Sequence, residues 1–174
     1  PAMGTTSYVT RHGFGYTVFE HTERGVSSEA WVYVAVDAPV KFVVLKVRNL
    51  SGRSRRLSVS GYAEWVLGDV RSKTVMHILT EIDPQSGALF AHNPYNAEFG
   101  SRVAFFNVDH ATRTVSADRT EFLGRNGTLA RPAAMTRSRL SGKVGAALDP
   151  CAAIQAGFEL EDGEEREIVF TLGA

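Results

Sequence analysis

Apolar and polar residues alternate along much of this chain, which is the pattern of β-strands. In residues 55–67, apolar or small residues occupy every second position, and polar residues fill most of the positions between them. Residues 39–50 are more continuously apolar, as expected for a strand covered on both faces. Similar patterns predict further strands at residues 16–22, 29–36, 74–82, 88–92, 102–107, 113–117, 153–161 and 166–172.

Short clusters of Gly, Pro and Asp residues separate these segments and indicate turns. Turn signals that recur about every 8–12 residues are typical of antiparallel sandwiches and barrels. No segment keeps a helical period, and we expect only a short helix around residues 120–123. Residues 124–150 are rich in Gly, Arg and Ser and should be irregular. The pattern therefore predicts an all-β domain, most simply an antiparallel β-sandwich.

Length and charge narrow the possible functions. The 174 residues suit one domain, which we place at residues 8–174, with residues 1–7 as a linker or a remnant of cloning. We interpret the chain as a fragment of a larger multidomain protein. Nineteen basic and nineteen acidic residues give no net charge, so nucleic-acid binding is not expected. The longest apolar run, residues 31–36, is far shorter than the roughly 20 residues of a membrane span, so no membrane contact is expected from this segment.

Motifs for catalysis or cofactor binding are not evident. The five histidines have no metal-ligand spacing, and the lone Cys151 allows neither an internal disulfide nor a thiolate metal cage. The glycine pairs lack the fingerprint of a nucleotide site. We therefore expect no metal, no cofactor and no catalytic residue.

Paired carboxylates and aromatic residues are the remaining candidates for sugar chemistry. Asp118 with Glu121, and Glu64 beside Trp65, are possible carboxylate sites. We favour ion pairs of Asp118 and Glu121 with the neighbouring Arg119 and Arg125, and a solvent-facing position for Glu64. Aromatic rings next to polar residues also suit sugar stacking, and Trp65 and Tyr95 are the candidates, although core packing is the stronger expectation for Trp65.

Four stretches in a fixed order resemble one family. They are HGFGYTVFEH at residues 12–21, RRLSVSGYAEWVLG at 55–68, DRTEFLGRNG at 118–127 and GKVGAALDPCAAIQ at 142–155. Together they are similar to the inverting glycoside phosphorylases of the cellobiose and chitobiose phosphorylase type, and within these to the phosphorylase-like region of cyclic β-1,2-glucan synthases. The resemblance extends over nearly the whole chain.

This resemblance implies a galactose-mutarotase-like supersandwich, the N-terminal β-domain of such enzymes, here a partial copy without its upstream strands. In that family the catalytic aspartate lies in a separate (α/α)6 helical barrel, where inorganic phosphate acts as the nucleophile. The parent protein would then be a glycosyltransferase or phosphorylase of β-glucans, cytoplasmic or part of a bacterial inner-membrane protein, and this chain alone would be inactive.

Two functions follow for the domain itself. It is either a carbohydrate-binding-like accessory domain or a purely structural support for the catalytic barrel and a dimer interface. An independent sugar-binding module would need exposed coplanar aromatic rings. We expect the barrel, a β-glucan oligosaccharide and a second copy of the chain as partners. The candidate sugar-binding residues, chosen where charged groups meet irregular backbone, are Arg71, Arg119, Glu121, Arg125, Asn126 and Asp149.

Overall fold

Eleven strands and two short α-helices make up the described part of the chain, residues 4–174 of a computed structural model. The strands are β1 Tyr8–His12, β2 Tyr16–Glu23, β3 Val26–Val34, β4 Val40–Asn49, β5 Arg55–Glu64, β6 Leu79–Ile82, β7 Leu89–His92, β8 Ala104–Val108, β9 Arg113–Asp118, β10 Pro150–Leu160 and β11 Glu165–Gly173. The helices are α1 Arg71–Thr74 and α2 Arg119–Leu123, and 3-10 turns cover Val75–His77 and Ala133–Thr136.

The strands form two antiparallel sheets of unequal size. The large sheet has eight strands in the order β1-β2-β3-β4-β11-β8-β7-β6, and the small sheet has three in the order β5-β10-β9. The predicted antiparallel sandwich is therefore confirmed. Because three strands cannot cover eight, part of the large sheet's inner face is open, and Phe19 on β2 is 48% exposed. The expectation of upstream strands stays a prediction.

The main core lies between the sheets. Ile154 and Leu160 of β10 face Ile168 of β11, and all three are fully buried. Residue 61 of β5 is a glycine. The rings of Phe106 on β8 and Phe170 on β11 occupy the space that a side chain at this position would need. A Cβ atom there would lie 2.6 Å from the Phe170 ring and 2.7 Å from the Phe106 ring, so only glycine fits without a shift.

A second, smaller core lies on the outer face of the small sheet. There α2 and the following loop place Phe122, Leu123, Ala134 and Leu140 against Cys151 and Ala153 of β10. The Tyr62 ring on β5 stacks on Phe122 with 4.5 Å between centroids. This segment covers one half of the small sheet and leaves the other half uncovered.

Most of the predicted elements are present, and two differences have local causes. The short helix is confirmed, and residues 124–149 contain no strand and only one 3-10 turn. The predicted strand at residues 74–82 is wrong in its first half, because the Thr74 hydroxyl donates back to the carbonyl of Val70 at 3.3 Å and favours a helical turn. Strand β1 was not predicted, since all five of its residues are exposed and lack an apolar face. Residues 1–3 of the predicted linker lie outside the described residues. Further along it, Thr5 donates to the Glu23 carboxylate twice, from its backbone N–H at 2.9 Å and from its hydroxyl at 2.8 Å.

Candidate functional site

Four charged side chains meet at one end of the small sheet. Glu64 is the last residue of β5 and Arg71 the first of α1, while Arg119 begins α2 and Asp149 directly precedes β10. Strands β5 and β10 are antiparallel neighbours with Glu64 opposite Cys151, so the end of one strand lies beside the start of the other. We call Glu64, Arg71, Arg119 and Asp149 the charged ring.

Positive and negative charges alternate around the charged ring. Arg119 donates from Nε to Glu64 Oε1 at 2.9 Å, and its Nη1 lies 3.4 Å from Asp149 Oδ2. Arg71 closes the ring through an ion pair with Asp149, and its Nη1 lies 3.8 Å from Glu64 Oε2. Each carboxylate thus contacts both guanidinium groups. The four charges sum to zero, and the ring's side chains are about one-third exposed, between 27% and 35%.

Backbone contacts tie the charged ring to three chain segments. Arg71 Nη1 donates to the carbonyl of Trp65 at 3.0 Å and to that of Pro150 at 3.3 Å. The backbone N–H of Arg119 donates to the carbonyl of Asp149 at 2.8 Å. The end of β5 and the starts of α2 and β10 are therefore held together by side chains as well as by sheet pairing.

Tyr62 completes the environment of Glu64. Its hydroxyl donates to Glu64 Oε1 at 2.8 Å. Burial by itself raises the pKa of Glu64, but the hydrogen bonds from Tyr62 and Arg119 and the two guanidinium charges outweigh it, and the pKa is lowered. Burial, followed by the bond to Glu64, raises the pKa of Tyr62. Glu64 is therefore ionised at neutral pH and accepts hydrogen bonds, while Tyr62 remains a neutral donor.

Glu121 lies outside the charged ring and has different partners from those predicted. Its side chain is 9% exposed and accepts hydrogen bonds from the hydroxyls of Ser116 and Ser141, each at 2.6 Å, while Arg137 is 3.9 Å away. Burial raises its pKa, and these hydrogen bonds outweigh that effect and lower it. Asp118 caps α2 by accepting from the backbone N–H of Thr120 at 2.9 Å.

The predicted ion pairs of Asp118 and Glu121 with Arg119 and Arg125 are therefore wrong, because Arg119 pairs with Glu64 and Asp149 instead. Asp118 instead pairs with Lys143 at 2.5 Å. The predicted solvent-facing position of Glu64 is confirmed, since the residue is exposed at the end of β5, and its carboxylate also pairs with Arg119 and Arg71.

Arg125 and Asn126 are exposed in the loop after α2. Neither side chain makes an ion pair or a hydrogen bond with the rest of residues 4–174. The structure thus brings Arg71, Arg119 and Asp149 together and leaves these two as free surface groups.

The two predicted stacking residues have opposite fates. Trp65 is 5% exposed and belongs to the main core, so the stronger expectation of core packing is confirmed and its ring is not available for sugar stacking. Tyr95 is 77% exposed and stacks on His77 with 4.3 Å between ring centroids and an interplanar angle of 12°. His77 ends the 3-10 turn that continues α1, so the Tyr95 pair belongs to the segment that begins at Arg71.

Sequence reasoning named Glu64 as a possible carboxylate site but did not group it, or Tyr62, with Arg71, Arg119 and Asp149. The signal available for Glu64 was its position near the end of the alternating pattern of residues 55–67, shortly before Gly68 and Asp69. Among residues 4–174, no three His, Cys, Asp or Glu side chains are arranged to hold a metal ion. No helix within those residues is long and apolar enough to cross a membrane.

Comparison with known proteins identifies the fold family. Residues 1–174 match the family model of the glycosyl hydrolase 94 supersandwich domain. This chain belongs to that family. The resemblance seen in the four sequence stretches is confirmed.

Two relatives illustrate the range of the glycosyl hydrolase 94 supersandwich family. The chain is 41% identical over 167 residues to the cyclic beta-(1,2)-glucan synthase NdvB of Rhizobium meliloti (strain 1021), and the match covers 95% of this chain and 6% of that protein. It is 26% identical over 161 residues to a solabiose phosphorylase of Paenibacillus borealis, covering 91% of this chain and 21% of the phosphorylase. The chain therefore spans only a small part of the length of these relatives.

A solved structure supports the galactose-mutarotase-like fold. A putative aldose 1-epimerase from Escherichia coli K12 superposes with a TM-score of 0.53 and 8% sequence identity, covering 97% of this chain and 68% of the epimerase. At this identity the likeness concerns the fold alone.

Proposed function

We propose that this chain is a non-catalytic accessory domain of a larger enzyme that acts on β-linked glucans. Its relatives at 41% and 26% identity are named as a glucan synthase and a disaccharide phosphorylase, and the chain matches only 6% and 21% of their lengths. A domain that occupies a small fraction of such enzymes suits an accessory role, with the chemistry located elsewhere in the protein.

The charged ring is the observation that favours a structural role for this accessory domain. All four charges are compensated within the domain, and Arg71 also satisfies two backbone carbonyls. Charges that are already paired offer little new hydrogen bonding to a sugar, because binding would first have to break the existing contacts. The ring's role is therefore to hold one end of the sandwich as a rigid surface for the neighbouring catalytic barrel.

Carbohydrate contact is the second candidate, and Tyr95 favours it. Its ring has one face on His77 and is 77% exposed, which suits stacking on the apolar face of a sugar. Arg125 and Asn126 at the exposed loop after α2 could add hydrogen bonds to hydroxyls, since neither has a partner within residues 4–174.

Kinetics of the full-length enzyme separate the two candidates. Under the structural role, Arg119→Ala lowers the melting temperature and leaves the KM for glucan unchanged in the enzyme that still folds. Tyr95→Ala and Arg125→Ala then change neither quantity. If Tyr95→Ala or Arg125→Ala raises KM while the melting temperature is unchanged, this end of the domain contacts sugar instead. An effect of Arg119→Ala on KM alone would contradict the structural role.

A further inference from the structure

An open groove runs along the uncovered half of the small sheet's outer face. Its cavity volume is about 700 Å³, within the range of about 300–1,000 Å³ that is usual for ligand sites. Ser58 of β5, Thr114 of β9, and Gln155 and Gly157 of β10 form its floor, and Arg137 and Ser138 line it from the loop that covers the other half. Hydroxyl, amide and guanidinium groups therefore line the groove beside apolar surface from Leu57 and Phe158.

Gly157 lies in the middle of this floor, and neither its backbone conformation nor its surroundings require a glycine. Its φ is not in the left-handed region, and an added Cβ would meet only the carbonyl oxygen of Leu57 at 3.9 Å. A glycine inside a strand weakens the strand by roughly 0.5–1 kcal/mol relative to alanine. Such a glycine often marks a place where a ligand or another backbone approaches closely.

An unpaired buried acceptor lies two residues before this glycine on the same face of β10. Gln155 is 5% exposed, and its Oε1 has no hydrogen-bond partner among residues 4–174. Ser60, directly opposite Gln155 on β5, has an unpaired buried Oγ. The Gln155 Nε2 faces the carbonyls of Ala134 and Arg137 and makes long hydrogen bonds to them at 3.5 and 3.4 Å. The unpaired atom of Gln155 is therefore an acceptor that requires a donor.

The arginines of the groove differ in their availability. Arg113 donates to the backbone carbonyls of Val108, His110 and Ser86, so its guanidinium is occupied. Arg137 is half-exposed, and its one ion pair, with Glu121, spans 3.9 Å. Arg56 is exposed, and Glu159 lies across from it on β10. The groove thus offers one or two exposed guanidinium groups, those of Arg137 and Arg56, with a carboxylate near each.

We propose that this groove binds a segment of an oligosaccharide through the sugar hydroxyls. A hydroxyl both donates and accepts, so it satisfies the acceptor of Gln155 and the donors of Arg137 and Ser58 together. A fully ionised anion such as sulfate has no proton to give to Gln155 Oε1. The absence of a side chain at residue 157 lets the ring of a sugar lie close to the β10 backbone.

The choice of a β-linked glucan as the sugar rests on the proposed function. The proposal that the groove binds an oligosaccharide rests on the residues that line it. The site lies on the outer face of the small sheet, apart from the charged ring at the sheet's end. If this groove binds a gluco-oligosaccharide, the accessory domain contacts the glucan chain at a place separate from the catalytic barrel.

Calorimetric titration of the 174-residue chain tests the site, with a linear β-1,2-linked gluco-oligosaccharide of four glucose units as the probe. We expect saturable binding that Gly157→Leu and Gln155→Leu weaken by about tenfold or more, and Arg137→Ala by a smaller factor. Arg131→Ala is the matched control, because Arg131 is exposed outside the groove, and it should bind like the wild-type chain. Circular dichroism and the melting temperature of Gly157→Leu show whether the variant folds, and Arg137→Ala provides a variant outside the sheet.

Three results would overturn the proposal. One is the absence of binding of the gluco-oligosaccharide and of a β-1,4-linked tetrasaccharide. Another is sugar binding that survives Gly157→Leu in the folded variant, which would place the sugar elsewhere. The third is binding of inorganic phosphate, in preference to sugar, that depends on Arg137. None of these bears on the accessory role, which depends on the contact between this domain and the rest of its enzyme.

Discussion

Glu64 and Arg119 are 55 residues apart in the chain, and their side chains are joined by a 2.9 Å hydrogen bond at the end of the small sheet. Since Asp149 also contacts Arg119, this one arginine connects the end of β5 with the start of β10. We expect Arg119→Ala to lower the free energy of unfolding by about 1 kcal/mol, a modest value because the ring is partly exposed to solvent. Urea denaturation of the purified chain measures this change.

Arg125→Ala is the control for that experiment. Arg125 is exposed in the loop after α2, six residues further along, and we expect a change within about 0.5 kcal/mol. Equal losses for the two variants would show that the charged ring adds nothing specific to stability.

Acid should weaken the contribution of Glu64. Its pKa is lowered in the folded domain from an ordinary value of 4.5, so the stabilisation is complete above that value and is lost as the pH falls through the folded pKa. We therefore expect Glu64→Gln to be less stable than the wild-type chain at pH 7, with a smaller difference at pH 3. Unfolding midpoints of both proteins across this range test the sign, and a gap that widens in acid would contradict it.

Two glycines on neighbouring strands should respond oppositely to the same substitution. Gly61→Ala places a methyl group against the rings of Phe106 and Phe170, and overpacking of this kind costs typically about 1–3 kcal/mol. Gly157→Ala places the methyl group in ordinary contact with the Leu57 carbonyl and should leave stability unchanged or raise it by up to about 1 kcal/mol. Thermal unfolding of both variants decides this, and a destabilised Gly157→Ala would mean that the groove floor is tightly packed.

Cys151 should be inert in the folded domain. It is fully buried under α2, and burial raises the pKa of its thiol, so little thiolate is present at neutral pH. We expect a thiol reagent such as iodoacetamide to leave Cys151 unmodified in buffer and to modify it in denaturant, as seen by mass spectrometry. Rapid labelling without denaturant would show that the second core opens readily.

Sequence patterns predicted the sandwich well because period-two alternation reports directly on which residues face the core. They also selected Arg71, Arg119 and Asp149, which the structure brings together. They missed β1, whose residues are all exposed, and they extended a strand over the helical residues 74–77. The pairing of Glu64 with Arg119 could not be derived from sequence, because it depends on the antiparallel register of β5 and β10.

The outer groove was equally hidden. Nothing in the sequence around Ser58, Gly157 and Gln155 marks them as groove residues. Whether they line a groove depends on which half of the small sheet the loop after α2 covers. Local sequence does not encode that coverage, since Phe122 and Leu140 reach the sheet only through the path of the irregular segment.

Reconstitution of the parent enzyme tests the accessory role most directly. The enzyme is expressed without this domain, and its glucan-forming or phosphorolytic activity and its melting temperature are measured before and after addition of the 174-residue chain. We predict that the truncated enzyme loses activity or stability, that the wild-type chain restores it, and that the Arg119→Ala chain restores it less well. A truncated enzyme that is as active and as stable as the full-length protein, with no effect of the added chain, would contradict the account.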